Sequence, residues 1–161
     1  MNEREFFRSR LEAEAKGFSK VFEALPAARM EYRPHPKSPS AAEVVRTMSD
    51  ELAACVAALE HGKVEWNPGT PGPREQMLAT WNRAFADLTS RVASLDDAAW
   101  AKPVTMSAGG KSYPPMPAGA FLWFLLFDAI HHRGQLTAYI RPMGGKVPGV
   151  YGRSGDEKSG S

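Results

Sequence analysis

One cysteine, Cys55, is too few for an internal disulfide, and it falls inside a helical apolar pattern. A chain with so little cysteine is expected in a reducing compartment, so a cytoplasmic setting follows as the expectation. Long apolar runs are also scarce. The longest nearly apolar stretch, Ala118 to Phe127, is about half of what a bilayer-spanning helix needs. The first residues, MNEREFFRSRLEAEAK, are charged and lack the apolar core of a signal peptide. Charge of one sign is missing as well. The formal net charge is +2, and no run of more than two Lys or Arg occurs. That pattern excludes the basic footprint of a nucleic-acid binder, and no membrane partner is expected. There is no internal repeat, no glycine-rich phosphate loop, no cofactor fingerprint and no evident nucleophile.

What is present is ordinary for a globular domain: 43% hydrophobic and 24% charged residues in 161. Four stretches carry helical periodicity. Phe7, Leu11, Phe18, Phe22 and Leu25 recur at helical spacing until Pro26. The following ARMEYRPHPKSPS holds three prolines and reads as a crossing connector. Ser40 with Glu43 forms a capping box, and Val44, Val45, Met48, Leu52, Cys55, Val56 and Leu59 then share one broad face, with Gly62 as the stop. After the loop Asn67–Pro73, a third seam runs through Met77, Leu78, Trp81, Phe85, Leu88, Val92 and Leu95. Lys102 to Pro117 holds four prolines and a glycine pair, and Val104–Met106 and Lys111–Tyr113 are expected to pair as a short hairpin. The last helix is expected from about Pro117 to Arg141, where Pro142 and two glycines end it. The expected fold is all-α: a four-helix bundle over residues 1–153, with a crossing connector between the first two helices and a short hairpin before the fourth. Val147, Val150 and Tyr151 should pack the C-terminal segment back on the helices, leaving 154–161 as a flexible tail.

The last helix carries the chemistry. In FLLFDAIHHRGQL, residues Phe121, Leu125, Asp128, His132, Gln135 or Leu136, and Tyr139 share a face. Asp128 and His132 therefore interrupt an apolar stripe one turn apart, the spacing at which two side chains converge on one metal ion. The same spacing suits a structural carboxylate–imidazole pair. Both are expected to point toward Thr47 and Glu51 on the second helix. Glu51 lies beside the apolar face there and is either a ligand, a solvated charge or a partner for Arg133. His131 falls on another stripe with Phe124 and Phe127, facing a neighbouring helix or a dimer interface. Gly134, costly inside a helix, suggests close helix packing.

The segment HHRGQLTAYIRPMGGKVPGVYG, His131 to Gly152, resembles the C-terminal signature of the DinB/YfiT-like superfamily. YRPHPKSPSAAEVV and SLDDAAW resemble that family's entry to its second helix and its stretch after the third. The resemblance spans nearly the whole chain. It implies a four-helix bundle, often dimeric, in a family described as metalloenzymes with three histidine ligands. Carried over, one family histidine coincides with His132, one falls on Asp128, and one falls at or near Thr47. The implied site is thus degenerate: metal ligands Asp128, His132 and Glu51, with Thr47, His131 and Arg133 as neighbouring binding residues, around one divalent ion (Zn, Ni, Mn or Fe). The reading favoured is a homodimer that is non-catalytic or binds a small molecule. The alternative is a metal-dependent enzyme of thiol-transferase or hydrolase type.

Overall fold

The computed structural model describes residues 1–157. Four long helices dominate: α1 (Glu3–Ala24), α2 (Ala41–His61), α3 (Arg74–Ser94) and α5 (Ala118–Ile140), with a five-residue α4 (Asp97–Ala101) between the last two. Local chemistry sets their ends. Asn2 accepts from the Glu5 amide while the Glu5 side chain reaches back, and Ser40 and Glu43 close the same reciprocal box on α2. Gly62 ends α2 at φ 65°, a conformation open to glycine and costly to other residues.

α1 packs on α3 and α5, and α2 packs on the same two helices, so α1 and α2 sit diagonally and the proline-rich connector crosses between them. The apolar faces meet in one core. Phe7, Leu11, Phe18, Met48, Leu88, Phe121, Leu136 and Ile140 are all but excluded from solvent there. Fully burying each such side chain is worth about 1.5–3 kcal/mol. Gly119 opens α5 with a close approach: a Cβ there would lie 2.1 Å from the Trp100 ring, which caps that end of the core.

The chain is not all-α. β1 (Lys63–Trp66), β2 (Pro103–Ala108) and β3 (Lys111–Pro117) form a three-stranded sheet in that order. The hairpin is real and longer than the sequence indicated. Ala108 pairs with Lys111 across Gly109 and Gly110, both at positive φ, which is the two-residue turn that matches strand twist. β1 pairs with β2 in parallel, Lys63 opposite Thr105 through Trp66 opposite Ala108. It buries Val64 against α2. A four-residue strand with two charged side chains, paired 42 residues away, has almost no local signature.

The C-terminal segment returns to the helices. Val150 lies near Gly17 of α1, and Lys20 donates to the Gly149 carbonyl at 2.9 Å. Asp156 accepts from Arg141 and from the Val147 amide, and Glu157 accepts from the Gly149 amide. The tail expected from residue 154 is therefore tied by polar contacts through Glu157, and 158–161 lie outside the described residues. Among the described residues no helix is long and apolar enough to cross a membrane.

Candidate metal centre

α2 and α5 face each other across the core, and each sends acidic or basic groups to one point between them. Glu51 comes from the third turn of α2. Asp128 and His132, one turn apart, come from the middle of α5. The His132 Nε2 lies 3.7 Å from Glu51 Oε1 and 3.9 Å from Asp128 Oδ2. One ligand atom from each residue falls within 4.8 Å of the others. Ligand atoms sharing a metal at bonds of about 2.0–2.2 Å stand roughly 3.0–3.5 Å apart, so the side chains would have to draw together to close on an ion.

The three side chains differ in exposure. Glu51 is 1% exposed, His132 18% and Asp128 41%. Asp128 is thus not the buried charge that its stripe suggested; it sits at the solvent edge, and Glu51 is the carboxylate removed from water. No donor group of another residue reaches either Glu51 oxygen among the described residues, and the one hydrogen bond open to it is a proton shared with the Asp128 carboxyl. Burial pushes Glu51 from its ordinary value of 4.5 up to about 10, with the neighbouring Asp128 and Asp50 carboxylates adding to the shift. A bare buried carboxylate is costly, so without an ion Glu51 keeps its proton; facing an imidazole nitrogen and a second carboxylate, it fits a cation that takes the proton's place.

The imidazole is oriented from behind. His132 Nδ1 is 2.9 Å from Gln135 Oε1, Gln135 Nε2 donates to Tyr139 Oη at 3.0 Å, and Tyr139 donates to the Pro39 carbonyl at 3.1 Å. Two carboxylates and one imidazole suit Zn, Mn, Fe or Ni.

The other residues singled out from the sequence lie elsewhere. Thr47, one turn before Glu51, is half-buried and offers only a neutral hydroxyl. His131 is exposed, its ring 5.4 Å from that of His132. Arg133 does not pair with Glu51. It runs to the opposite side of α5, where Nη1 donates to Glu14 Oε2 at 2.6 Å, with the Phe18 and Tyr151 rings 4.7 and 5.0 Å from its guanidinium carbon. Gly134 does not mark a close approach within the chain, since a Cβ there would meet open space. Gln135 and Tyr139 were visible as members of the α5 stripe, but nothing in the sequence assigned them to His132. Cys55, one turn beyond Glu51, is fully buried; burial, and then the Glu51 charge, push its thiol up, so it is no nucleophile.

A pH dependence follows. Glu51 is raised, so its contribution to the stability of the metal-free protein is fully present below about pH 4.5 and is lost as the pH climbs toward 10. Urea midpoints of metal-free protein should fall between pH 5 and 9, and Glu51→Gln should flatten that fall and melt higher at pH 8. Identical profiles for the two proteins would contradict the burial argument. Glu14 is shifted the opposite way, and its window lies below its ordinary 4.5, outside this range.

A family model described as the DinB superfamily matches residues 10–136. A 42-residue stretch, 26% of this chain, is 48% identical to the uncharacterized protein YrdA of Bacillus subtilis. The match spans about a quarter of that relative's length, 25%. Two crystal structures are similar throughout. A DinB-like protein of Bacillus subtilis, YjoA, is 18% identical with a TM-score of 0.68, covering 92% of this chain and 99% of its own. A DinB-like protein of Bacillus cereus is 19% identical with a TM-score of 0.73, covering 91% and 97%. At these identities the likeness is one of fold.

Proposed function

This chain belongs to the DinB superfamily, and from that premise we propose that it is a divalent-metal-binding member, a four-helix bundle whose ion is held by Glu51, Asp128 and His132. The observation that carries the reading is the pair of Glu51 oxygens that no donor of another residue reaches, buried beside His132 Nε2. Glu51 takes over from the position at Thr47, one helical turn earlier, where the family pattern has a histidine. Glu51 would supply charge from the dry side of the site, His132 a neutral nitrogen, and Asp128 a carboxylate at the wet edge.

A bound divalent ion would supply Lewis acidity there, lowering the pKa of a thiol or a water. The exposure of Asp128 leaves the cluster open on that side, which supports access by an external small molecule and favours a transferase that activates a thiol or a hydrolase that activates water. Since the single cysteine, Cys55, is sealed off, any thiol nucleophile has to come from outside the chain.

The test is a zinc titration by calorimetry in two buffers of different ionisation enthalpy. We expect one ion per chain, and release of about one proton at pH 7, because Glu51 must lose its proton to become a ligand. No saturable uptake, or uptake without proton release, would overturn the assignment of Glu51.

The proposal extends to a homodimer. Phe124 and Phe127 stand 52% and 61% exposed on the outer face of α5, with Phe6 of α1 at 47% close by Trp123, and Gly134 continues that face with open space above it. Light scattering should give twice the 17.6 kDa of one chain at micromolar concentration; a monomer there would count against it.

A further inference from the structure

We propose that Gln135 and Tyr139 are positioning residues: anchored on the Pro39 carbonyl, they fix which nitrogen of His132 carries the hydrogen and thereby set the affinity of the site for its ion. The inference rests on the metal-centre reading above and concerns residues outside the cluster itself.

The argument is one of hydrogen-bond polarity. A backbone carbonyl only accepts, so Tyr139 Oη, 3.1 Å from Pro39 O, spends its hydrogen there. The Tyr139 oxygen then has only lone pairs to offer Gln135, 3.0 Å away, and the group facing it must be the amide NH2. That fixes the amide: its oxygen is the atom left to meet His132 Nδ1 at 2.9 Å, and because it only accepts, Nδ1 carries the hydrogen. In the neutral ring Nε2 is then the lone-pair nitrogen, and it is Nε2 that faces Glu51 and Asp128. A single terminal acceptor thus dictates polarity through two side chains, and once Glu51 gives up its proton the outcome is three acceptors around one point.

The relay is stiff. His132, Gln135 and Tyr139 follow one another on a single face of α5. Tyr139 is buried, and its ring meets Tyr32 edge-on at 5.7 Å. Pro39 immediately precedes Ser40, the N-cap of α2, so the anchor belongs to the element that also carries Glu51. Remove the Tyr139 hydroxyl, and nothing stops the Gln135 amide from turning over. Its NH2 would then donate to Nδ1, and His132 could place its hydrogen on Nε2 and give it to Glu51. That closed pair satisfies both groups without an ion and competes with binding. Partners of a ligating imidazole typically change metal affinity 10–100-fold.

The experiment uses full-length protein labelled with 15N at histidine. The imidazole spectrum of metal-free protein at pH 8.5, assigned to His132 with His132→Ala, reports the tautomer directly, and a competition assay reports zinc affinity. Wild type should show Nδ1–H. Tyr139→Phe and Gln135→Leu should shift population to Nε2–H and weaken zinc binding 10–100-fold, while Gln135→Glu, which still accepts from Nδ1, should keep both the tautomer and the affinity. Urea midpoints separate a folding defect from a tautomer effect. Nε2–H in the wild type, or both variants leaving tautomer and affinity unchanged while zinc still binds, would overturn the relay and leave the metal centre standing. Failure of the wild type to take up zinc would overturn the metal centre, and the tautomer would still decide the relay.

Discussion

Glu51→Gln and His132→Ala should each weaken zinc binding at least about 1,000-fold, a loss of roughly 4 kcal/mol, and erase the rise in melting temperature that zinc gives the wild type. Glu51 is the larger contributor of charge, and it sits where water cannot replace it, at 1% exposure. His132 bridges the two carboxylates at 3.7 and 3.9 Å and has no substitute on α5. Asp128→Ala should cost less, about 10–100-fold, because at 41% exposure water can take its place. Thr47→Ala should change affinity by less than about 3-fold, since a neutral hydroxyl is a poor ligand beside two carboxylates and an imidazole. Competition with a chromogenic chelator reads all four. A large loss in Thr47→Ala with none in Glu51→Gln would restore the site to the family's histidine position.

The second large effect lies on the other side of α5. Arg133→Ala should destabilise the protein by about 3 kcal/mol, toward the low end of what breaking a buried ion pair costs. Both partners are buried, Arg133 at 3% and Glu14 at 2% side-chain exposure, with Nη1 to Oε2 at 2.6 Å. Burial alone would raise Glu14, but the hydrogen bonds from Tyr151 and Arg133 outweigh it and hold the carboxylate below its ordinary range. Arg10 also reaches Glu14, which is why the loss should not be greater. Arg133 further anchors the C-terminal segment: it bonds the Tyr151 hydroxyl, its guanidinium carbon 5.0 Å from that ring's centre. Trypsin should therefore cut after Lys146 faster in the variant. The double variant Glu14→Leu, Arg133→Met should recover much of the stability, because it removes the charge left bare by the single change. A single variant within 0.5 kcal/mol of wild type would contradict the ion-pair account, as would a double variant no better than Arg133→Ala (urea denaturation, about 0.5 kcal/mol resolution).

What the sequence disclosed follows from the range of the interactions. The long helices were legible because their signals are local: apolar stripes such as Met77, Trp81, Leu88 and Val92, and the Ser40–Glu43 box. The hairpin was legible from its glycine pair. β1 was not, because only its parallel partner makes KVEW a strand. Asp128 and His132 announced themselves by spacing, yet the assignment of the buried charge to Asp128 was wrong. Helical periodicity locates a stripe to within a residue or so, and Asp128 lies at its edge while Glu51, placed beside the α2 face, turned fully inward. The partner of Arg133 was illegible. Glu14 sits in the charged-looking EAEAK of α1, 119 residues away, and nothing local marks it as buried.

The most direct measurement is anomalous diffraction at the zinc edge from crystals grown with one equivalent of zinc. The account predicts a single strong peak within about 2.3 Å of a Glu51 oxygen, an Asp128 oxygen and His132 Nε2. A peak ligated through His131 or His61 at the surface, with none between α2 and α5, would contradict it.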